Sequence, residues 1–104
     1  MTNEYMTNGI VPDVIVPDVF VDAGYSGWPK FKDLANWLLY QLHISIEIRP
    51  FPNTRKDKGY YAYVRKFDRG MVKQHFTLEA PTKKEVTVKA VDKAKDIYLG
   101  TPET

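Results

Sequence analysis

Three stretches in the middle of the chain alternate apolar and polar residues with a period of two. They are Ile44-Ser45-Ile46-Glu47-Ile48-Arg49, then Tyr60 to Phe67, then Met71 to Glu79. That period belongs to strands buried on one face and free on the other. Pro50-Phe51-Pro52-Asn53 ends the first run, Thr54 to Gly59 forms a charged loop, and Asp68-Arg69-Gly70 offers a short hairpin turn. Strands joined in this way predict an antiparallel meander, one face of which the rest of the chain must cover.

Two helical stretches are available for that purpose. From Pro29 to about Leu42 the apolar positions Phe31, Leu34, Ala35, Leu38 and Leu42 recur at spacings of three and four, with Trp37 and Tyr40 flanking the stripe. Pro29 suits a first helical turn, where its missing N–H is no loss. The second stretch begins at Thr82-Lys83-Lys84-Glu85, a capping box. Val86, Ala90, Val91, Ala94, Ile97 and Tyr98 make its stripe, and Gly100 a stop. The pattern predicts an α+β fold: an α-β-β-β-α two-layer sandwich over residues 25–100, with a three-stranded antiparallel sheet and a tail at 101–104.

Before this domain the unit V-P-D-V-(I/F) occurs twice without a gap, at Val11 to Ile15 and Val16 to Phe20. Prolines fix φ and lack a donor, so they argue against helix and against the middle of a sheet. Residues 1–24 therefore read as an extended N-terminal arm. Its Val11, Val14, Ile15, Val16, Val19 and Phe20 are candidates for binding a protein partner or a second copy of the chain. Asp13 and Asp18 do not make a cation site, because on an extended arm they would lie roughly 15 Å apart.

Strand parity sorts the sheet into two faces. Ile44, Ile46, Ile48, Tyr60, Ala62, Val64, Val72, Phe76 and Leu78 make the inward set, with Gln74 as a misfit. Ser45, Glu47, Arg49, Tyr61, Tyr63, Arg65, Phe67, Met71, Lys73, His75 and Thr77 are left outside. An outer face holding Tyr61, Tyr63, Phe67 and His75 beside Arg49, Arg65 and Lys73 can stack bases on rings while cations neutralise phosphates. Two other readings stand beside it with less weight: the arm covers these aromatics, or the face stands in plain solvent, since tyrosines suit strands in general.

Charge points the same way. Residues 1–24 hold Glu4, Asp13, Asp18 and Asp22 and no Lys or Arg, a charge of −4, which leaves +6 on the other 80 residues of a chain whose net charge is +2. Between Arg49 and Lys73 eight basic residues face only Asp57 and Asp68. An anion would go there. The candidate nucleic-acid contacts are Arg49, Arg55, Lys56, Lys58, Tyr61, Tyr63, Arg65, Lys73, His75, Lys83 and Lys84.

Other chemistry is sparse. Without cysteine there is no disulfide framework, thiol nucleophile or cysteine-based zinc site. His43 reads as a helix-end residue favoured by the dipole, and His75 as a phosphate contact or a group that changes charge near neutral pH. Neither stands in a catalytic or metal-ligand spacing, so no enzyme activity, metal or cofactor is expected. No run reaches the roughly 18 apolar residues of a bilayer span, and no signal-peptide pattern opens the chain; a cytoplasmic location is expected.

The order helix, three strands, helix, closed by Ala80-Pro81-Thr82-Lys83-Lys84-Glu85-Val86, resembles the double-stranded RNA-binding domain. The resemblance implies that Lys83 and Lys84 reach phosphates from the start of the last helix. That family's third helical lysine corresponds here to Thr87, and the loop from Pro52 to Gly59 lacks its minor-groove histidine. The stretch from Lys58-Gly59-Tyr60 through Thr82-Lys83-Lys84-Glu85 is also similar to the arm-binding domain of phage-type integrases. There a basic, aromatic three-stranded sheet lies in the major groove of DNA. Small phage and mobile-element proteins share the plan as well. Two functions follow as expectations: a non-enzymatic nucleic-acid-binding module, DNA or RNA, or an accessory or inhibitor protein that takes a protein partner through its arm and sheet.

Overall fold

The computed structural model describes residues 12–52 and 59–100. Val11 and the loop cations Arg55, Lys56 and Lys58 lie outside them. The chain runs α1 (Asp18–Asp22), α2 (Phe31–Trp37) continuing as a π-helical turn (Leu38–Leu42), β1 (Ile44–Pro50), β2 (Tyr60–Asp68), β3 (Met71–Ala80) and α3 (Lys83–Leu99). The strands form one antiparallel sheet in the order β1-β2-β3, with helices on one side, as the alternation predicts. No described helix is long and apolar enough to cross a membrane.

The core lies between the sheet and its helices. Leu34 from α2, Leu38 from its π turn, Ile44 and Val64 from the strands, and Val86, Ala90 and Ala94 from α3 are all fully buried. Ile46, Ile48, Tyr60, Phe76 and Leu78 pack against them at the margins. At the start of α3 the Glu85 N–H donates to Thr82 Oγ1 at 3.1 Å. The Thr82 hydroxyl in turn donates to the Glu85 carboxylate at 3.0 Å, so the carboxylate half of the capping box closes on the hydroxyl. Gly100, at φ +73°, ends the helix in the left-handed conformation that glycine adopts without strain.

The N-terminal segment departs from the extended reading. The second proline of the repeat starts a helix rather than preventing one: Pro17 stands at the N-cap of α1, where a missing N–H is no loss, and its carbonyl accepts from Phe20 N–H at 3.0 Å. This turn drives Phe20 into the core, fully buried, with its ring edge-on to Trp37 at 5.9 Å and 6.0 Å from Tyr98. Val14, Val16 and Val19 pack against the same cluster. Of the apolar residues expected to face a partner, Phe20 is therefore withdrawn entirely, and Ile15, at 87% exposure, is the most open to solvent among those described.

The first unit of the repeat does something else. Asp13 Oδ1 accepts from the Phe31 N–H at 2.6 Å, and Asp13 N–H donates to the Pro29 carbonyl at 3.1 Å. Lys30, the N-cap residue of α2, offers no side-chain acceptor, so a carboxylate from far upstream satisfies the orphan donor instead.

At its other end α2 widens into the π turn and stops at His43, whose φ of +60° reverses the chain into β1. Lys66 Nζ crosses from β2 to donate to the Leu42 carbonyl at 2.8 Å, satisfying one of the carbonyls that the helix end leaves open. Between these elements Tyr25 is buried. Its hydroxyl donates to the Trp28 carbonyl, and its ring meets Trp37 at 5.5 Å. Burial, reinforced by the Asp33 carboxylate, pushes the phenol above its ordinary value.

In the hairpin, Arg69 and Gly70 both have positive φ, +55° and +80°, the two-residue turn that matches strand twist. The register then slips. Lys66 pairs with Gln74 but Phe67 pairs with Val72, so Lys73 is the extra residue of a β-bulge. Val72, expected inward, is thereby carried to the outer face opposite Phe67 and is 50% exposed.

Two measurements check this account. Phe20→Ala should lower unfolding stability by about 3–5 kcal/mol in denaturant titration, whereas Ile15→Ala should stay within about 0.5 kcal/mol. The folded chain holds the Tyr25 proton more tightly than the unfolded chain, so that contribution is present at neutral pH and lost as pH rises past about 10. Thermal melts of Tyr25→Phe should therefore decline less steeply with alkalinity than those of the parent.

Candidate functional site

With α3 packed on one side of the sheet, the other side is bare among the described residues. Register places its side chains in rows across the three strands: Arg49, Tyr61 and Glu79; Glu47, Tyr63 and Thr77; Ser45, Arg65 and His75. Phe67 and Val72 close the hairpin end. Arg49, Tyr61, Tyr63, Arg65 and His75, all expected on this face, are thus brought together.

The aromatic groups form a continuous row. Phe51 lies 5.1 Å from Tyr61, Tyr61 5.2 Å from Tyr63, and Tyr63 5.3 Å from the His75 ring, centroid to centroid. Successive rings are inclined by 53°, 64° and 41°; the Tyr61–Tyr63 pair meets edge to face, as ring quadrupoles prefer, and the other two are tilted. The Arg65 guanidinium sits 4.9 Å over the Tyr63 ring. Its Nε donates to His75 Nδ1 at 3.0 Å, and the other ring nitrogen of His75 lies 3.4 Å from Thr77 Oγ1. An acceptor Nδ1 requires a neutral imidazole protonated on Nε2.

Electrostatics correct the expectation of a basic face. Glu47 stands at its centre, ion-paired with Arg49 along the strand and with Arg65 Nη1 at 3.5 Å across it. The hydrogen bond from Arg49, and then the two positive charges, hold the Glu47 carboxyl below its ordinary value. Both arginines share Glu47, and register places a second carboxylate, Glu79, on the same face. Lys73, expected among the phosphate contacts, stands exposed at the bulge, and Lys66 is committed to Leu42.

Lys83 and Lys84 belong to the first turn of α3, in the layer on the opposite side of the sheet from Tyr61 and Tyr63. They do not join the aromatic row. Thr87, which stands where the double-stranded RNA-binding family has its third lysine, is buried and donates to the Lys83 carbonyl at 2.7 Å. Phe51 was not among the predicted contacts, because it lies between two prolines. The signal was its parity: it continues the outward series Ser45, Glu47, Arg49. Among the described residues no three His, Asp or Glu side chains converge as a metal site.

The chain matches no protein-family model, no curated protein and no solved structure.

Glu47 provides the test of this geometry. A depressed carboxylate stabilises the fold above its unfolded value, and that contribution disappears as pH falls through the folded one. Side-chain carboxyl NMR should show Glu47 titrating below the ordinary glutamate value of about 4.3, and Arg49→Ala should move the midpoint back towards it.

Proposed function

We propose that the outer sheet face is a binding surface for single-stranded nucleic acid, with unpaired bases stacking on Tyr61 and Tyr63 and phosphates reaching Arg49, Arg65 and Lys73. The observation that carries this reading is the row from Phe51 through Tyr61 and Tyr63 to His75, on a sheet side that no described element covers. A duplex, held mainly through its phosphates, finds little on a face whose arginines already have carboxylate partners. Stacking does not depend on net charge, and every base offers a π-face.

Fluorescence anisotropy with labelled single strands and duplexes over a salt series tests the proposal. Two or three engaged phosphates imply a log–log salt slope of roughly −1.5 to −2 on single strands. A Tyr61→Ala, Tyr63→Ala variant should bind at least about tenfold more weakly with the slope unchanged, because about 1–3 kcal/mol is lost per stacked base. Glu47→Gln, which releases both guanidiniums, should tighten binding and steepen the slope. Absence of binding at low salt, or a duplex preferred over a single strand, would overturn the reading.

One observation favours the second function, recognition of a protein. Tyrosine and arginine with their charge already neutralised resemble the anchors of protein interfaces more than a phosphate track. In that case binding to the partner would respond weakly to salt and no oligonucleotide would compete. Deletion of residues 1–24 does not separate the two readings, because it removes Phe20 from the core and Asp13 from the start of α2.

A further inference from the structure

Besides the open face, the sheet has two edges, and they are built differently. The Phe67 N–H donates to His43 C=O at 2.9 Å and the Phe51 N–H to Gly59 C=O at 3.0 Å. These bonds fix the alternation between β1 and β2: odd-numbered residues of β1 face β2, while Ile44, Ile46, Ile48 and Pro50 turn their main-chain groups outward. Among the described residues nothing pairs with them. By the same alternation His75, Thr77 and Glu79 point outward from β3.

The β3 edge is guarded. Lys89 Nζ takes the Glu79 carbonyl at 2.8 Å, Lys93 Nζ sits 4.5 Å over the Phe76 ring, and the bulge at Lys73 breaks the strand line. Lysines and bulges are the devices that keep an edge from pairing. On β1 only Pro50, at its very end, plays that part, and Ile46 and Ile48 remain half-buried at the margin of the core.

We infer that β1 pairs antiparallel with β1 of a second copy of this chain, about a two-fold axis through Ile48, making one six-stranded sheet. The segment is self-complementary in that register and so suits the isologous contact of a two-fold dimer. On the outer face Glu47 of each copy lies opposite Arg49 of the other, which converts an ion pair along one strand into two across the junction. On the inner face Ile48 meets its counterpart and Ile46 meets Pro50. The Ile48 N–H and C=O bond reciprocally across the axis, and each Ile46 N–H reaches the Pro50 carbonyl of the second copy. This inference does not rest on nucleic-acid binding. If both hold, the two aromatic rows lie on one continuous surface.

Sedimentation equilibrium over a wide concentration range, with complementary charge variants, tests the pairing. The parent should pass from the 12.0 kDa monomer to twice that mass as concentration rises. Glu47→Lys alone sets cation against cation at both junction pairs and Arg49→Glu alone sets anion against anion, so each should lose the dimer. An equimolar mixture of the two restores both pairs and should regain it as a heterodimer. Circular dichroism checks that each variant is folded. On the parent itself, amide exchange at Ile46 and Ile48 should slow with increasing concentration while that at His75 and Thr77 does not. Four results would overturn the inference: a parent that stays monomeric, a dimer indifferent to the single variants, concentration-dependent protection at His75 and Thr77 instead, or protection of Ile46 and Ile48 that does not vary with concentration.

Discussion

The fold depends on the Phe20 ring. One short helical turn carries it between Trp37, at the end of α2, and Tyr98, in the last turn of α3, so a single buried side chain ties together three segments far apart in sequence. A three-stranded sheet covered on one face by two helices has a small core, and a domain of this size is held by few fully buried side chains. The aromatic contribution of the N-terminal segment is therefore integral to the domain. Asp13 extends the same dependence to α2, whose first turn is held by a carboxylate that belongs to no neighbouring element.

Because the helices and this segment all bury their apolar residues on one side, no described element covers the tyrosines on the other side of the sheet. Its chemistry is set by pairing within the face. Glu47 draws in Arg49 and Arg65, Arg65 covers Tyr63 and binds His75, and the cations are thereby fixed in position rather than ranging through solvent. Fixed guanidiniums lose less entropy on meeting a ligand, but they must first leave or share a carboxylate. The face is thus pre-arranged and only weakly attractive at long range.

Much of this could be read from residues alone, and the failures have physical causes. Period-two alternation located all three strands, and it placed Tyr61, Tyr63 and Arg65 outward correctly, because parity is a local property of extended backbone. Val72 was misplaced since a bulge leaves no mark on the alternating letters; the slip at Lys73 exists only in the pairing of two strands. Pro17 misled because the rule against proline in helices applies to interiors and not to first turns. The neutralising role of Glu47 needed the cross-strand register with Arg65, and the cap from Asp13 needed two segments 18 residues apart to meet. Apart from Pro17, signals confined to one element were legible, whereas those shared between elements were not.

The tandem V-P-D-V units carry one further consequence. The two copies of almost the same pentapeptide are put to different uses: Asp13 of the first turns to the start of α2, whereas Pro17 and Asp18 of the second open a helix of their own. A slip of the chain by five residues would offer Ile15 to the cavity that Phe20 fills and leave the Phe31 amide without Asp13. Against such a slip stand the fully buried Phe20 ring, which an Ile side chain would not replace in volume, and the hydrogen bond that Asp13 accepts from Phe31. In landscape language the duplication builds a decoy into the molecule, and the fifth letter of each unit is what tells the chain which copy is which.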